Sequence, residues 1–182
     1  QINLTRFSLF FPEKREFFLE NSGIFQFSGG SETGPAGTSG RTPPRDMIFF
    51  HSRRIGLSDN GAPISILGGT RLSGRAGPFE VGVLNIQQRK LGASPSTNFT
   101  VARLRRNIAG GSDIGMMMTN KELVDSAHYN RAVGVGADAN LRFGQALNAY
   151  AYLAKTFSPL ATRGQLAARA ALHYYDNDWD LR

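Results

Sequence analysis

The chain has 182 residues, 41% of them hydrophobic, with 21 Gly, no Cys and a net charge of +7. That length forms a domain with a real core; the missing cysteines exclude disulfides and thiol chemistry, and no run of 18 apolar residues supplies a membrane helix. The basic excess forms no Lys/Arg block and matches no nucleic-acid-binding module, so no nucleic acid partner is expected.

The chain starts at Gln1 and is read as an internal portion of a longer protein, which leaves the absent leader uninformative. Residues 1–27 are rich in Phe. Pro12 suits the first turn of a short helix, with Glu13 and Glu16 near its positive end and Asn21, Ser22 and Gly23 as its stop. Residues 28–46, SGGSETGPAGTSGRTPPRD, read as a linker or long loop. From there on the pattern is strand and turn. Strands are predicted at 47–54, 64–74, 79–87, 98–106, 112–119, 131–143, 147–156, 164–175 and from 179 onward. Short turns at 75–78, 107–111, 144–146 and 176–178 alternate with longer loops at 55–63, 88–97, 120–130 and 157–163. That asymmetry is the outer-membrane pattern, in which the long loops lie outside the cell.

The clearest strand is 131–143. Val133, Val135, Ala137, Ala139, Leu141 and Phe143 form one row, and Gly134, Gly136, Asp138, Asn140 and Arg142 the other. A period of two is a β-strand, and an apolar row spanning eleven residues has the length of a tilted membrane strand rather than a sandwich strand. The fold class expected is therefore all-β: an antiparallel up-and-down meander, part of a transmembrane β-barrel, with room for the sheet to stay open within this stretch. Residues 1–46 would form an N-terminal helix and plug or a periplasmic lead-in, and 47–182 the barrel portion. On 164–175, Leu166, Ala168, Ala170, Leu172 and Tyr174 oppose Gln165, Arg169, His173 and Tyr175. On 147–156, Leu147, Ala149, Ala151 and Leu153 oppose Asn148, Tyr150, Tyr152 and Thr156. Ile114, Met116 and Met118 oppose Asp113; Ile64, Ile66, Thr70 and Leu72 oppose Arg71 and Ser73; Ala102 and Leu104 oppose Arg103 and Arg105. Strands 47–54 and 79–87 carry apolar residues in both rows, so their facing stays open. Tyr129, Tyr174 and Trp179 near strand ends suit an aromatic girdle.

The lumen-facing set is then basic Arg71, Arg103, Arg105, Arg142 and Arg169 against acidic Asp113 and Asp138. An excess of arginine favours anions in a lumen; the plainer alternative is a ladder of Arg–Asp pairs and water. The lipid-facing set is Val133, Val135, Ala137, Ala139, Leu141 and Phe143. Gly134 to Ala139 fits a dinucleotide fingerprint, but the alternation runs through it with no following helix, so small interior residues explain it better. Asp176 to Asp180 resembles the opening of a calcium loop, though a hairpin turn is the ordinary reading. His51, His128 and His173 follow no metal spacing, and Asn98-Phe99-Thr100 is a chance-level glycosylation triplet. Glu13, Glu16 and Glu20 with His51 read as a solvated helix face before they read as acid/base groups. No catalytic residue, metal site or cofactor is assigned.

Four blocks carry a resemblance: FFPEKREFFLE (Phe10 to Glu20), HSRRIGL (His51 to Leu57), ILGGTRLSGR (Ile66 to Arg75) and PSTNFTVARLRR (Pro95 to Arg106). The chain resembles, over essentially its whole length, an uncharacterised bacterial family (domain of unknown function 5916). That family lies behind a family 9-like carbohydrate-binding (DOMON) domain in long secreted proteins. His51 stands where an aromatic Tyr or Phe is expected. The resemblance implies the first portion of a large outer-membrane barrel and a carbohydrate-binding domain upstream. The expected partners are outer-membrane lipid, lipopolysaccharide and a carbohydrate ligand. The expected role is binding or passage of a saccharide or another polar solute. The alternatives are a membrane-associated hydrolase acting on surface glycans and a soluble ligand-binding β-barrel.

Overall fold

The computed structural model describes residues 13–28, 47–58, 61–124, 129–159, 165–176 and 180–181. Its frame is one antiparallel sheet with nearest-neighbour order β1 to β8. The strands are β1 (Ile66–Ala76), β2 (Phe79–Gln88), β3 (Ser96–Ile108), β4 (Ser112–Val124), β5 (Tyr129–Phe143), β6 (Leu147–Phe157), β7 (Leu166–Tyr175) and the two-residue β8 (Asp180–Leu181). The chain is thus all-β in an up-and-down meander, and β1 and β8 do not pair with each other, so the sheet is not closed. Strands β1 to β7 run from 10 to 15 residues, about twice the ordinary globular length.

Turn chemistry fixes the hairpins at one end. Gly77 (φ 58°), Gly110 (φ 77°) and Gly144 (φ 65°) occupy left-handed backbone that a side chain would strain. At the other end, β2 to β3 and β6 to β7 are joined by the longer 89–95 and 158–165. The long loop expected at 120–130 is mostly strand instead. Lys121–Val124 of β4 continue the ladder, and Lys121 and Glu122 pair with Ala132 and Arg131. Polar alternation extends a strand as well as apolar alternation does once a partner supplies the hydrogen bonds.

The strand expected at 47–54 is absent. Residues 47–50 are irregular and Ser52–Arg54 form a single 3-10 turn. The reason is packing: Met47, Phe49, Phe50 and Ile55 bury against the sheet face rather than join its edge. The expected N-terminal helix is one turn, Glu16–Leu19, which begins after Glu13. Asn21 turns the chain through left-handed backbone (φ 45°) into a 3-10 turn at Ser22–Phe25. Most of the linker (29–46), together with His128 and Trp179, lies outside the described residues.

The two faces of the sheet differ. The face covered by 13–28 and 47–58, here the inner face, carries the core: Phe18, Phe27 and Ile55 against Leu84, Ile86, Val101, Met117 and Ala154. The opposite, outer face carries apolar rows in register. Val81, Leu104, Met116, Ala137, Leu153 and Ala168 face one another in register across six neighbouring strands. Val83, Ala102, Met118, Val135, Lys155 and Leu166 form the next row. These side chains are bare: Leu72 is 68% exposed, Met116 66%, Leu172 64%, Leu166 63% and Leu153 54%.

Candidate functional site

The inner face is where polar chemistry collects, and the N-terminal segment organises it. The two most distinctive sequence blocks meet there. The Glu13 carboxylate accepts from the Arg15 Nε (2.9 Å) and NH2 (2.7 Å), from the backbone N–H of Lys14 and Arg15, and from the Ser52 hydroxyl (2.8 Å). Arg15 also donates to the carbonyls of Ile55 (2.8 Å) and Ser52 (2.9 Å), and its guanidinium lies 4.2 Å from the Phe18 ring centroid. Gly56, at φ +84°, donates its N–H to Gln88 Oε1 on β2. The EKREFF and SRRIGL stretches are therefore two halves of one cover seated on the sheet, called the plug for short.

Burial pushes the Glu13 carboxyl up, but the hydrogen bonds from Arg15, Ser52 and Lys14 outweigh it and hold the group at about 2. A depressed carboxylate stabilises the fold above its unfolded value of 4.5, and that contribution disappears as pH falls toward about 2. Unfolding followed between pH 6 and pH 2 is expected to show stability falling in this window, and Glu13→Gln is expected to flatten that part of the curve. An unchanged slope in the variant would show that Glu13 contributes nothing to it. The same bonds commit Glu13 to structure, while Glu16 and Glu20 are exposed. Among the described residues no group of three His, Asp or Glu is placed to hold a metal ion.

Deeper on the face, Arg103 of β3 crosses β4 to reach Asp138 of β5. Its NH2 donates to Asp138 Oδ2 at 2.8 Å and its NH1 to Oδ1; both side chains are all but inaccessible. Gly115 makes the crossing possible, because a Cβ there would sit 2.7 Å from the guanidinium. The backbone N–H of Ser28 donates to Asp138 Oδ2 at 3.1 Å, and the Phe27 ring centroid lies 5.8 Å from the Arg103 guanidinium. The plug is thus tied to the sheet at the ion pair. Among the described residues Arg103 Nε has no hydrogen-bond partner.

The remaining arginines divide. Arg105 and Arg75 both pair with Glu80, which also accepts from Asn107 Nδ2 at 3.1 Å. Arg71 donates to the Phe17 carbonyl and lies 6.0 Å from the Phe25 ring centroid. Arg169 lies over Tyr150, with 5.8 Å to the ring centroid, and Arg142 is exposed near the β3–β4 turn, where its Cδ and NH1 lie 3.7 Å from an added Cβ on Gly111. Asp113 accepts from Asn140 Nδ2 at 3.4 Å. The set expected to face lipid, Val133 to Phe143 in steps of two, lies on the outer face; Val135, Ala137 and Phe143 are exposed and the others half-buried. Sequence reasoning missed Glu80, because both rows of its strand are apolar. The signal was present in the sequence: Glu80 falls in register with Arg105, one strand over.

Glycines mark where the plug touches. A Cβ on Gly82 would lie 2.6 Å from Ile24 Cγ2 and 3.0 Å from Phe25, and one on Gly136 2.7 Å from the Phe27 ring. Gly82→Ala and Gly136→Ala are each expected to cost about 1–3 kcal/mol through overpacking. The measurement is protease cleavage within 13–28, which should quicken in both variants; unchanged cleavage would mean the plug does not sit on those glycines.

No family model, no curated protein and no solved structure matches the chain.

Proposed function

We propose that this chain is part of an outer-membrane β-barrel that binds or passes a saccharide or another small polar solute, with its N-terminal segment as a plug on the inner side. The observation that carries the reading is the outer face. An aqueous monomer does not expose rows of Leu, Met, Val and Phe across six neighbouring strands. Lipid is the solvent that such a face fits. The apolar row of β5 covers residues 133–143, which at ~3.3 Å per residue and a tilt of roughly 40° reaches about 25 Å, the height of a barrel's apolar band.

The ends of the band carry the residues that membrane boundaries favour. Arg106 lies 5.6 Å from the Phe79 ring centroid toward the short-turn end, and Lys155 lies 4.9 Å from Phe157 toward the long-loop end. Long cationic stems lie along apolar surface and carry their charge to the interface. Beyond the band, on the outer face of β2 and β3, Asn85, Gln87, Ser96, Asn98 and Thr100 bond to one another, with Asn85 Nδ2 donating to Asn98 (2.9 Å) and Thr100 (2.8 Å). Hydrocarbon does not suit such a cluster, and headgroups or lipopolysaccharide sugars do. The edge of β1 away from β2, which pairs with no other strand among the described residues, would need a partner strand in lipid, since unpaired backbone groups there cost several kcal/mol each. The saccharide rests on the resemblance to the family that follows a carbohydrate-binding domain.

The test is fractionation followed by conductance. The full-length protein is expected in the outer-membrane fraction, resistant to carbonate extraction, and to give current in a planar bilayer that oligosaccharides reduce. Recovery from the aqueous fraction without detergent would replace this reading with the soluble ligand-binding barrel.

A further inference from the structure

At the long-loop end of the inner face, beside the core, lies a cavity of about 230 Å³. Its roof is Phe49, Phe50, His51 and Arg54 of the plug; its floor includes Phe99, Thr119, Lys121, Gly134 and Thr156 from β3 to β6. Phe49 is held by stacking on Phe27, with ring centroids 4.8 Å apart, and Phe50 by Phe25 at 6.2 Å. Gly134 keeps the floor clear, because a Cβ there would lie 2.6 Å from Thr119 Oγ1 and 3.0 Å from the Phe49 ring. Among the described residues the lining holds the cationic side chains of Arg54 and Lys121 and no carboxylate. Both cations are exposed, and neither makes an ion pair with a described residue.

We propose that this cavity binds a small cyclic carboxylate, one ring bearing one acid group. Filled to the density of a protein interior, ~0.75, it holds roughly 170 Å³ of ligand, the size of a single substituted six-membered ring. The aromatic roof and floor take the face of the ring, the Thr119 and Thr156 hydroxyls take its polar edge, and the Arg54 and Lys121 charges take the carboxylate. The Arg103 and Arg105 guanidiniums do not compete, since Asp138 and Glu80 already pair with them. A sugar acid and an aromatic acid share this chemistry. The inference rests on the inner face being open to water at the loop end, one element of the function proposed above, and not on the outer face meeting lipid.

The test is calorimetric titration of the full-length protein in detergent with glucuronate and with benzoate, each beside a neutral counterpart, methyl glucoside and benzyl alcohol. At least one acid is expected to bind tenfold or more tightly than its counterpart, and which one does identifies the source of the ring. Arg54→Gln with Lys121→Gln is expected to weaken the acid at least tenfold and to leave the melting temperature unchanged. Gly134→Val is expected to abolish binding by filling the floor. If Gly134→Val fails to fold, the double variant at the two exposed positions decides alone. Acids that bind no better than their neutral counterparts, or a double variant that binds like the wild type, would overturn the proposal. A protein that binds the acid yet never enters a membrane would sink the barrel reading and leave this one standing.

Discussion

An arginine at Ala137 is expected to cost roughly 2–4 kcal/mol of stability in lipid, while an arginine at Asn140, three residues further, is expected to cost a small part of that. Ala137 lies mid-band on the outer face, in a row whose other members are Val81, Leu104, Met116, Leu153 and Ala168. A guanidinium there has no polar neighbour in the row and no short path to an interface. Ala139 is the gentler position, because its row already contains Arg106. Asn140 faces the other way and donates to Asp113, so a new arginine at that site meets a carboxylate. Guanidinium unfolding of the two variants in phospholipid vesicles separates the possibilities. Equal costs would mean that the two faces of β5 do not meet different surroundings. No cost at Ala137 would mean that the outer face is in water, which removes the membrane from the account.

The sheet was legible from alternation because one of its rows is uniformly apolar while the other is broken by Gly, Asp, Asn and Arg. That contrast is what β5, β6 and β7 present, and their facing could be read residue by residue. It failed at 79–87 and at 47–54 for one physical reason. The inner face is not uniformly wet: the plug's aromatics cover it, so Leu84, Ile86, Val101 and Met117 are apolar on the inward side too. A strand that carries apolar side chains both under the plug and on its bare outer face shows no alternation. The segment 47–54 has the same look for a different cause, since MIFFHSRRI is packed on the sheet without belonging to it.

Charges behaved similarly. Counting arginines gave an excess, but the count could not see Glu80, whose register partners Arg75 and Arg105 use it from both sides. Nor could sequence spacing join Arg103 to Asp138, which are 35 residues apart on strands that are not neighbours. Only the gap at Gly115 lets them meet. The cavity roofed by Phe49 and Phe50 was hidden for the same reason, because its two halves come from the plug and from four strands.

Asp138→Ala is expected to be the most damaging single change on the inner face, at about 3–5 kcal/mol, because it leaves the Arg103 guanidinium buried without its counter-charge. Arg103 is 2% exposed and one of its donors, Nε, already lacks a partner among the described residues, so the site has no reserve of hydrogen bonds to absorb the loss. The backbone N–H of Ser28 loses its acceptor as well, which loosens the plug where it crosses β5. Arg103→Met with Asp138→Leu removes both charges together and is expected to recover most of the stability, since the desolvation of two ions disappears with their attraction. The check is a double-mutant cycle of Arg103→Met, Asp138→Leu and their combination by denaturant unfolding, run beside Asp138→Ala, with hydrogen exchange over 17–28 as the readout for the plug. Protection there should fall in Asp138→Ala and stay low in the double variant, because Ser28 remains without its acceptor in both. An additive cycle would mean that the pair carries no coupling, and unchanged protection over 17–28 in Asp138→Ala would mean that the Ser28 bond does not hold the plug.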